Sequence, residues 1–128
     1  MNILLDTHTF LWWIADAPPL SRTARRLIGD ARNVLYWSAA SSWEAAIKHG
    51  LGKLPLPAAP EVFFPAELLL NRVEPLPILD AHAFQAAQLP RHHRDPFDRM
   101  LVAQAQVETL VLLSDDSQLR LYDVKVRW

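Results

Sequence analysis

A chain of 128 residues that is 51% hydrophobic has the length of one domain, residues 1–128, and enough apolar content for one sizeable core, which excludes a disordered segment. It holds no cysteine, so a disulfide framework and a thiolate metal centre are excluded, and any metal must sit on oxygen or imidazole ligands. A formal net charge of −1 excludes a general nucleic-acid coat; RNA binding would need a local basic patch or cations bridging acids to phosphate.

The chain opens on Asn2 to Leu5, an apolar run that reads as a buried strand ending at Asp6. No basic region precedes it, and no run reaches the roughly 18 apolar residues of a membrane span, so a soluble, cytoplasmic protein is expected. Thr9–Ala15 and Ser21–Gly29 read as helices; in the second, Ala24, Leu27 and Ile28 share a face and Arg22, Arg25 and Arg26 lie outside it. Asn33–Trp37 predicts a second strand and Ser42–His49 a helix closing at Gly50. Pro55, Pro57 and Pro60 mark a connection before a helix over Glu61–Asn71. Leu76–Leu79 predicts a weaker strand, at an edge because of Pro77. Helices over Ala81–Leu89 and Pro96–Val107 follow, then a strand over Thr109–Leu113, a turn over Ser117–Tyr122 and a short strand over Val124–Val126. Strands alternating with helices predict a three-layer α/β/α domain on a central, mostly parallel sheet of four or five strands.

Such a sheet binds its ligands beyond the carboxyl ends of its strands. Acids gather there in the sequence: Asp6 ends the first strand, Asp115 and Asp116 end the fourth, Glu44 lies in the helix after the second, and Asp98 opens the long helix before the fourth. Each has an ordinary structural explanation. Asp6 can cap the next helix; Ser41-Ser42-Trp43-Glu44 matches a capping box; Asp95-Pro96-Phe97-Asp98 matches an N-cap followed by proline; Ser114-Asp115-Asp116 can cap the last turn. Those explanations treat the acids singly and leave their common sheet edge unexplained. Carboxylates brought together raise one another's pKa, a penalty that a divalent cation removes, and Mg²⁺ or Mn²⁺ on oxygen ligands can activate water against phosphate. One ion or two is left open.

These residues resemble a known family. Leu4-Leu5-Asp6-Thr7-His8 is similar to the opening of PIN domains, and Ser41 to Lys48 to their second acidic motif. Leu89 to Ala105, including His92-His93-Arg94-Asp95-Pro96-Phe97-Asp98-Arg99, resembles the most specific block of one VapC-type toxin subgroup. Leu113-Ser114-Asp115-Asp116 and the closing Val124–Trp128 are also similar to it, so the resemblance runs along the whole chain. It implies a metal-dependent endoribonuclease of a type II toxin–antitoxin system, with Mg²⁺ or Mn²⁺ held by Asp6, Glu44, Asp98 and Asp116. It prefers Asp98 over Asp95 and Asp116 over Asp115, and leaves Thr7, His8, Asp95, Ser114 and Asp115 as supporting residues. The partners it implies are an RNA substrate, a VapB-type antitoxin and a second copy of the chain. No helix-turn-helix is evident, so sequence-specific DNA binding is expected of the antitoxin.

Lys48, Lys53, Arg91, His92, His93, Arg94 and Arg99 are the candidates for phosphate contacts; a solvated surface explains them equally well. Zinc on His92 and His93 is disfavoured, because adjacent histidines point apart and no third ligand is evident. The apolar run Phe10 to Ile14 exceeds one buried stripe and suits core packing plus a partner surface. An aspartyl phosphatase is disfavoured because His8 stands where its second acid belongs, and a receiver domain because the first strand ends on a single acid. An inactive PIN scaffold that only binds protein or RNA is the remaining alternative.

Overall fold

The computed structural model describes residues 1–128. Five strands form one sheet: β1 Asn2–Leu5, β2 Val34–Ser38, β3 Val73–Leu76, β4 Val111–Leu113 and β5 Val126–Arg127. Their order is β3-β2-β1-β4-β5, and every neighbouring pair is parallel. Six helices lie between them: α1 Thr7–Ala15, α2 Arg22–Gly29, α3 Ala39–Gly50, α4 Pro60–Leu70, α5 Asp80–Gln88 and α6 Pro96–Glu108. A 3₁₀ turn spans Ser117–Leu121. This is the three-layer α/β/α architecture that the alternating elements predict.

The layers follow from strand periodicity. Successive side chains point to opposite faces. Ile3 and Leu5 of β1 therefore enter one core, with Phe10, Ala24, Leu27, Ile28, Phe64 and Leu68 of α1, α2 and α4. Leu4 between them enters the other, with Leu101, Val102 and Ala105 of α6 and with Leu119. In α2 the buried residues are Ala24, Leu27 and Ile28, as the spacing predicts, and Ser21 caps it by accepting from the Ala24 N–H at 3.0 Å. Of the apolar run in α1, Phe10 is fully buried, while Leu11, Trp12, Trp13 and Ile14 pack half-buried over the same core. No helix is long and apolar enough to cross a membrane.

Two elements differ from the sequence reading. The edge strand is Val73–Leu76 rather than Leu76–Leu79. The registered partner of Trp37 is Pro75, which an edge strand tolerates because only one side of it needs a ladder. Helix α3 starts at Ala39, not Ser42. Ser38, at the end of β2, caps it by accepting from the Ala40 N–H at 3.0 Å, so Ser41 and Glu44 form no capping box and Glu44 lies in the second turn.

The chain runs outward from β1 through β2 to β3, then returns to the far side of β1 to place β4 and β5. Neighbouring strands whose connections leave in opposite directions open a crevice at their carboxyl ends. Here that crevice lies above β1 and β4.

Candidate active site

Register builds the centre of the site. Leu5 pairs with Leu113, so the next residues, Asp6 and Ser114, emerge side by side. The Ser114 hydroxyl donates to Asp6 Oδ2 at 2.6 Å, and the Thr7 N–H donates to Oδ1 at 2.7 Å. Asp6 is thus the N-cap of α1, as one reading of the sequence holds, and also the deepest acid of the crevice, 6% exposed. Ser114 is fully buried and its hydroxyl also accepts from the Asp116 N–H at 3.1 Å. One serine therefore links the ends of β1 and β4. Asp116 caps the 3₁₀ turn through Oδ1, which accepts from the Gln118 N–H at 2.9 Å, leaving Oδ2 to face the crevice.

The other two acids arrive on helices. In α3, Ala40, Ser41, Glu44 and Ala45 form the buried face, the i, i+3, i+4 set of a helix against a sheet. Ser41 Oγ accepts from the Thr7 hydroxyl at 2.8 Å, fixing that face beside Asp6. Glu44, 7% exposed, receives Lys48 Nζ on Oε2 at 2.9 Å, one turn along. In α6, Asp95 is the N-cap, accepting from the Phe97 N–H at 2.8 Å, and Pro96 holds the first helical position. Asp98 follows in the first turn. The dipole favours an acid there, but this acid points to its rivals and not to water.

Asp6, Glu44, Asp98 and Asp116 line one cavity of about 420 Å³, with His8, Lys48, His93, Asp95, Asp115 and Ser117 and no hydrophobic side chain. Burial and crowding shift two of these acids, Asp98 and Asp6. Burial, followed by the nearby Asp6, Asp95, Glu44 and Asp116 charges, pushes the Asp98 carboxyl up to about 8. Burial also raises Asp6, with Glu44 adding to it, against the lowering effect of the Ser114 and Thr7 hydrogen bonds and of His8. The crevice is short of positive charge at its centre.

His93 enters that centre. Its Nε2 lies 2.8 Å from Asp116 Oδ2 and 3.1 Å from Asp98 Oδ2. Donor atoms of His93, Asp98 and Asp116 all lie within 4.8 Å of one another. His92 meets the Tyr122 ring edge-on at 5.1 Å and does not line the acidic cavity. The donor chemistry suits a hard divalent cation: oxygen ligands predominate, there is no thiolate, and two of the acids are driven towards protonation by burial and by their acidic neighbours.

The remaining candidates divide. Arg91, His92, Arg94 and Lys48 line a second cleft of about 720 Å³, which shares Glu44, Lys48, His93 and Asp95 with the acidic cavity and so opens into it. Trp43, 63% exposed, meets Phe97 edge-on at 5.3 Å beside this cleft. Arg99 lies elsewhere: its guanidinium donates to the Ala86 and Leu89 carbonyls at 3.1 and 3.3 Å, tying α6 to the end of α5. Lys53 is exposed in the turn after α3 and lines neither cavity. Sequence reasoning takes His93 only as a candidate phosphate contact and misses Ser41, Tyr122 and Trp43 as members of the site. The double histidine ahead of Asp95-Pro96 signalled the first and the i, i+3 spacing from Glu44 could have signalled Ser41; nothing in the spacing signalled Tyr122 or Trp43.

Comparison with known proteins agrees with this fold. The model of the PIN domain family matches residues 3–125. Over 58 residues the chain is 40% identical to Ribonuclease VapC16 of Mycobacterium tuberculosis (strain ATCC 25618 / H37Rv), a match covering 45% of this chain and 41% of that relative's length. Among solved structures, VapBC2 from Rickettsia felis, bound to a DNA fragment from their promoter, superposes with a TM-score of 0.71 at 14% identity, covering 100% of this chain and 99% of that one. FitAcB from Neisseria gonorrhoeae gives 0.65 at 21% identity, over 97% and 95% of the two chains. VapBC-1 from nontypeable Haemophilus influenzae gives 0.65 at 18%, over 99% and 97%. At these identities the structural likeness is one of fold.

Proposed function

The chain belongs to the PIN domain family, and on that premise we propose that it is an endoribonuclease toxin that hydrolyses RNA phosphodiester bonds with Mg²⁺ or Mn²⁺ held by Asp6, Glu44, Asp98 and Asp116. The observation that carries this reading is the convergence of four carboxylates from four separate segments in one wholly polar cavity, two of them raised in pKa by burial and mutual repulsion. The likeness to a named ribonuclease over part of the chain supports it.

When bound, a divalent cation supplies charge for the phosphate oxygens and lowers the pKa of water. The side chains do the rest. Ser114 and the Thr7 N–H hold Asp6 with both oxygens oriented. Lys48 holds Glu44 in one pose. Arg91 and Arg94, along the adjoining cleft, hold the phosphates that flank the scissile bond, setting the strand's direction across the site. This reading needs no side-chain nucleophile.

The same reading assigns a VapB-type antitoxin and a second copy as partners. Two of the structural neighbours carry the VapBC name, which supports the first. A largely apolar groove between α4 and the open edge of β3, lined by Trp37, Phe64, Leu68, Leu69, Val73 and Leu76, supports a protein partner in general. DNA binding falls to the antitoxin.

Purified protein incubated with total bacterial RNA tests the activity, in Mg²⁺ or Mn²⁺ and in EDTA, beside an Asp6→Asn, Asp98→Asn variant. Discrete fragments that need both the cation and the acids are the expected result. Their absence, from folded protein that binds the cation, would favour the inactive scaffold.

A further inference from the structure

His93 sits where two carboxylates from different elements meet, and its own surroundings fix how it sits there. Its backbone N–H donates to the Tyr122 hydroxyl at 2.9 Å, pinning the loop before α6 to the segment after β4. The Asp95 N–H points at Nδ1 from 3.1 Å. An N–H needs an acceptor, so Nδ1 carries a lone pair and the hydrogen of the ring lies on Nε2. That Nε2–H faces Asp116 Oδ2 and Asp98 Oδ2 together, and the side chain is only 13% exposed.

We propose that His93 is a positioning residue: it holds the Asp98 and Asp116 carboxylates together through its Nε2–H, in the pose that receives the cation, and is not itself a ligand. The inference rests on reading the cavity as a divalent-cation site. Ligation through Nε2 would require its hydrogen to move to Nδ1, where it would face the Asp95 N–H, donor against donor. Hydrogen bonding, by contrast, uses every atom as placed. It also leaves each carboxylate an oxygen lone pair for the cation and lowers the repulsion between them before the cation arrives. Partners of this kind, which orient the ligands without touching the metal, govern affinity.

Two substitutions separate the donor from the scaffold. His93→Gln places its amide N–H as many bonds from Cα as Nε2 and keeps the donor. His93→Asn reaches only as far as Nδ1, so it keeps an acceptor for the Asp95 N–H and loses the donor to the acids. Mn²⁺ binding to the full chain, measured by calorimetry and by electron paramagnetic resonance, should weaken about 10- to 100-fold in His93→Asn and stay close to wild type in His93→Gln. Two-bond ¹H–¹⁵N correlation spectra of the metal-free protein, assigned by the signals lost in the variants, should show the Nε2–H tautomer. Pulsed resonance on the Mn²⁺-loaded wild type should show no directly bound imidazole nitrogen. A bound nitrogen, an Nδ1–H tautomer, or Mn²⁺ affinity unmoved in both variants would each overturn the proposal while leaving the cation site standing. Wild-type protein that binds no Mn²⁺ would overturn the cation reading, and the proposal with it.

Discussion

Asp98→Asn should make the metal-free protein more stable at neutral pH. The carboxyl is raised from 3.8 to about 8, so the folded state binds its proton more tightly than the unfolded chain does. A raised acid gives stability that is full below the unfolded value and is lost as pH climbs towards the folded one. At pH 7 the loss spans about three pKa units, a ceiling of about 4 kcal/mol at 1.36 kcal/mol each. Asparagine removes the charge and keeps an oxygen for His93 Nε2–H. Desolvation of its amide, and relief that Asp6 shares, reduce the expected gain to about 1–3 kcal/mol, or about 3–10 °C in Tm for a chain of this size. Scanning calorimetry in EDTA at about pH 7.5 should show that rise, and at about pH 4, where the native carboxyl is already protonated, it should vanish. Adding Mn²⁺ should raise the wild-type Tm more than that of the variant. An equal change at both pH values, or a loss at pH 7.5, would refute the claim that the carboxylates are held against their own repulsion.

Ser114→Ala should cost about 1–3 kcal/mol in urea unfolding, since it strips a buried hydroxyl from both Asp6 and the Asp116 N–H; unchanged stability would mean the β1–β4 link carries nothing. Arg99→Ala should destabilise by about 1–2 kcal/mol through the Ala86 and Leu89 carbonyls without altering the salt dependence of RNA binding. Arg91→Ala and Arg94→Ala should do the reverse, each lowering the slope of affinity against salt by about one unit. Trp43→Ala, at an exposed side chain, should leave Tm within about 1 °C and weaken binding of a single-stranded oligoribonucleotide to a cleavage-silenced Asp98→Asn protein, read by fluorescence anisotropy.

The fold was legible because its strands are short apolar runs bounded by proline, glycine and acid, a pattern with few solutions besides a parallel sheet covered on both faces. What escaped was decided by contacts distant in sequence. The edge strand lies at Val73 because its partner in β2 ends at Ser38 and Ser38 opens α3; local propensity favoured Leu76–Leu79, and pairing overrode it. The capping-box pattern at Ser41 to Glu44 was locally sound, yet Ser38 had already capped the helix. Among the candidate acids, strand ends and helix starts pointed to a common edge, and the family resemblance picked Asp6, Glu44, Asp98 and Asp116, which line one cavity. His93 was different. Its role depends on a loop folded back by Tyr122, a contact that no spacing rule contains. Arg99, three positions from Pro96 on α6, looked like one more cation near the block and turns out to be a clamp on α5.

One feature of the sheet bears on the order in which the chain is made. β1 lies at the centre of the sheet and is synthesised well before β4, which pairs with it. The hydrogen bond that fixes Asp6 comes from Ser114, 108 positions later. Until that segment has left the ribosome and inserted beside β1, Asp6 lacks the Ser114 hydroxyl and the crevice lacks Asp116, even with Lys48 already in reach of Glu44. The cavity is therefore complete only once β4 is in place. A chain cut short before β4 is a protein without the site, however well its first half has folded.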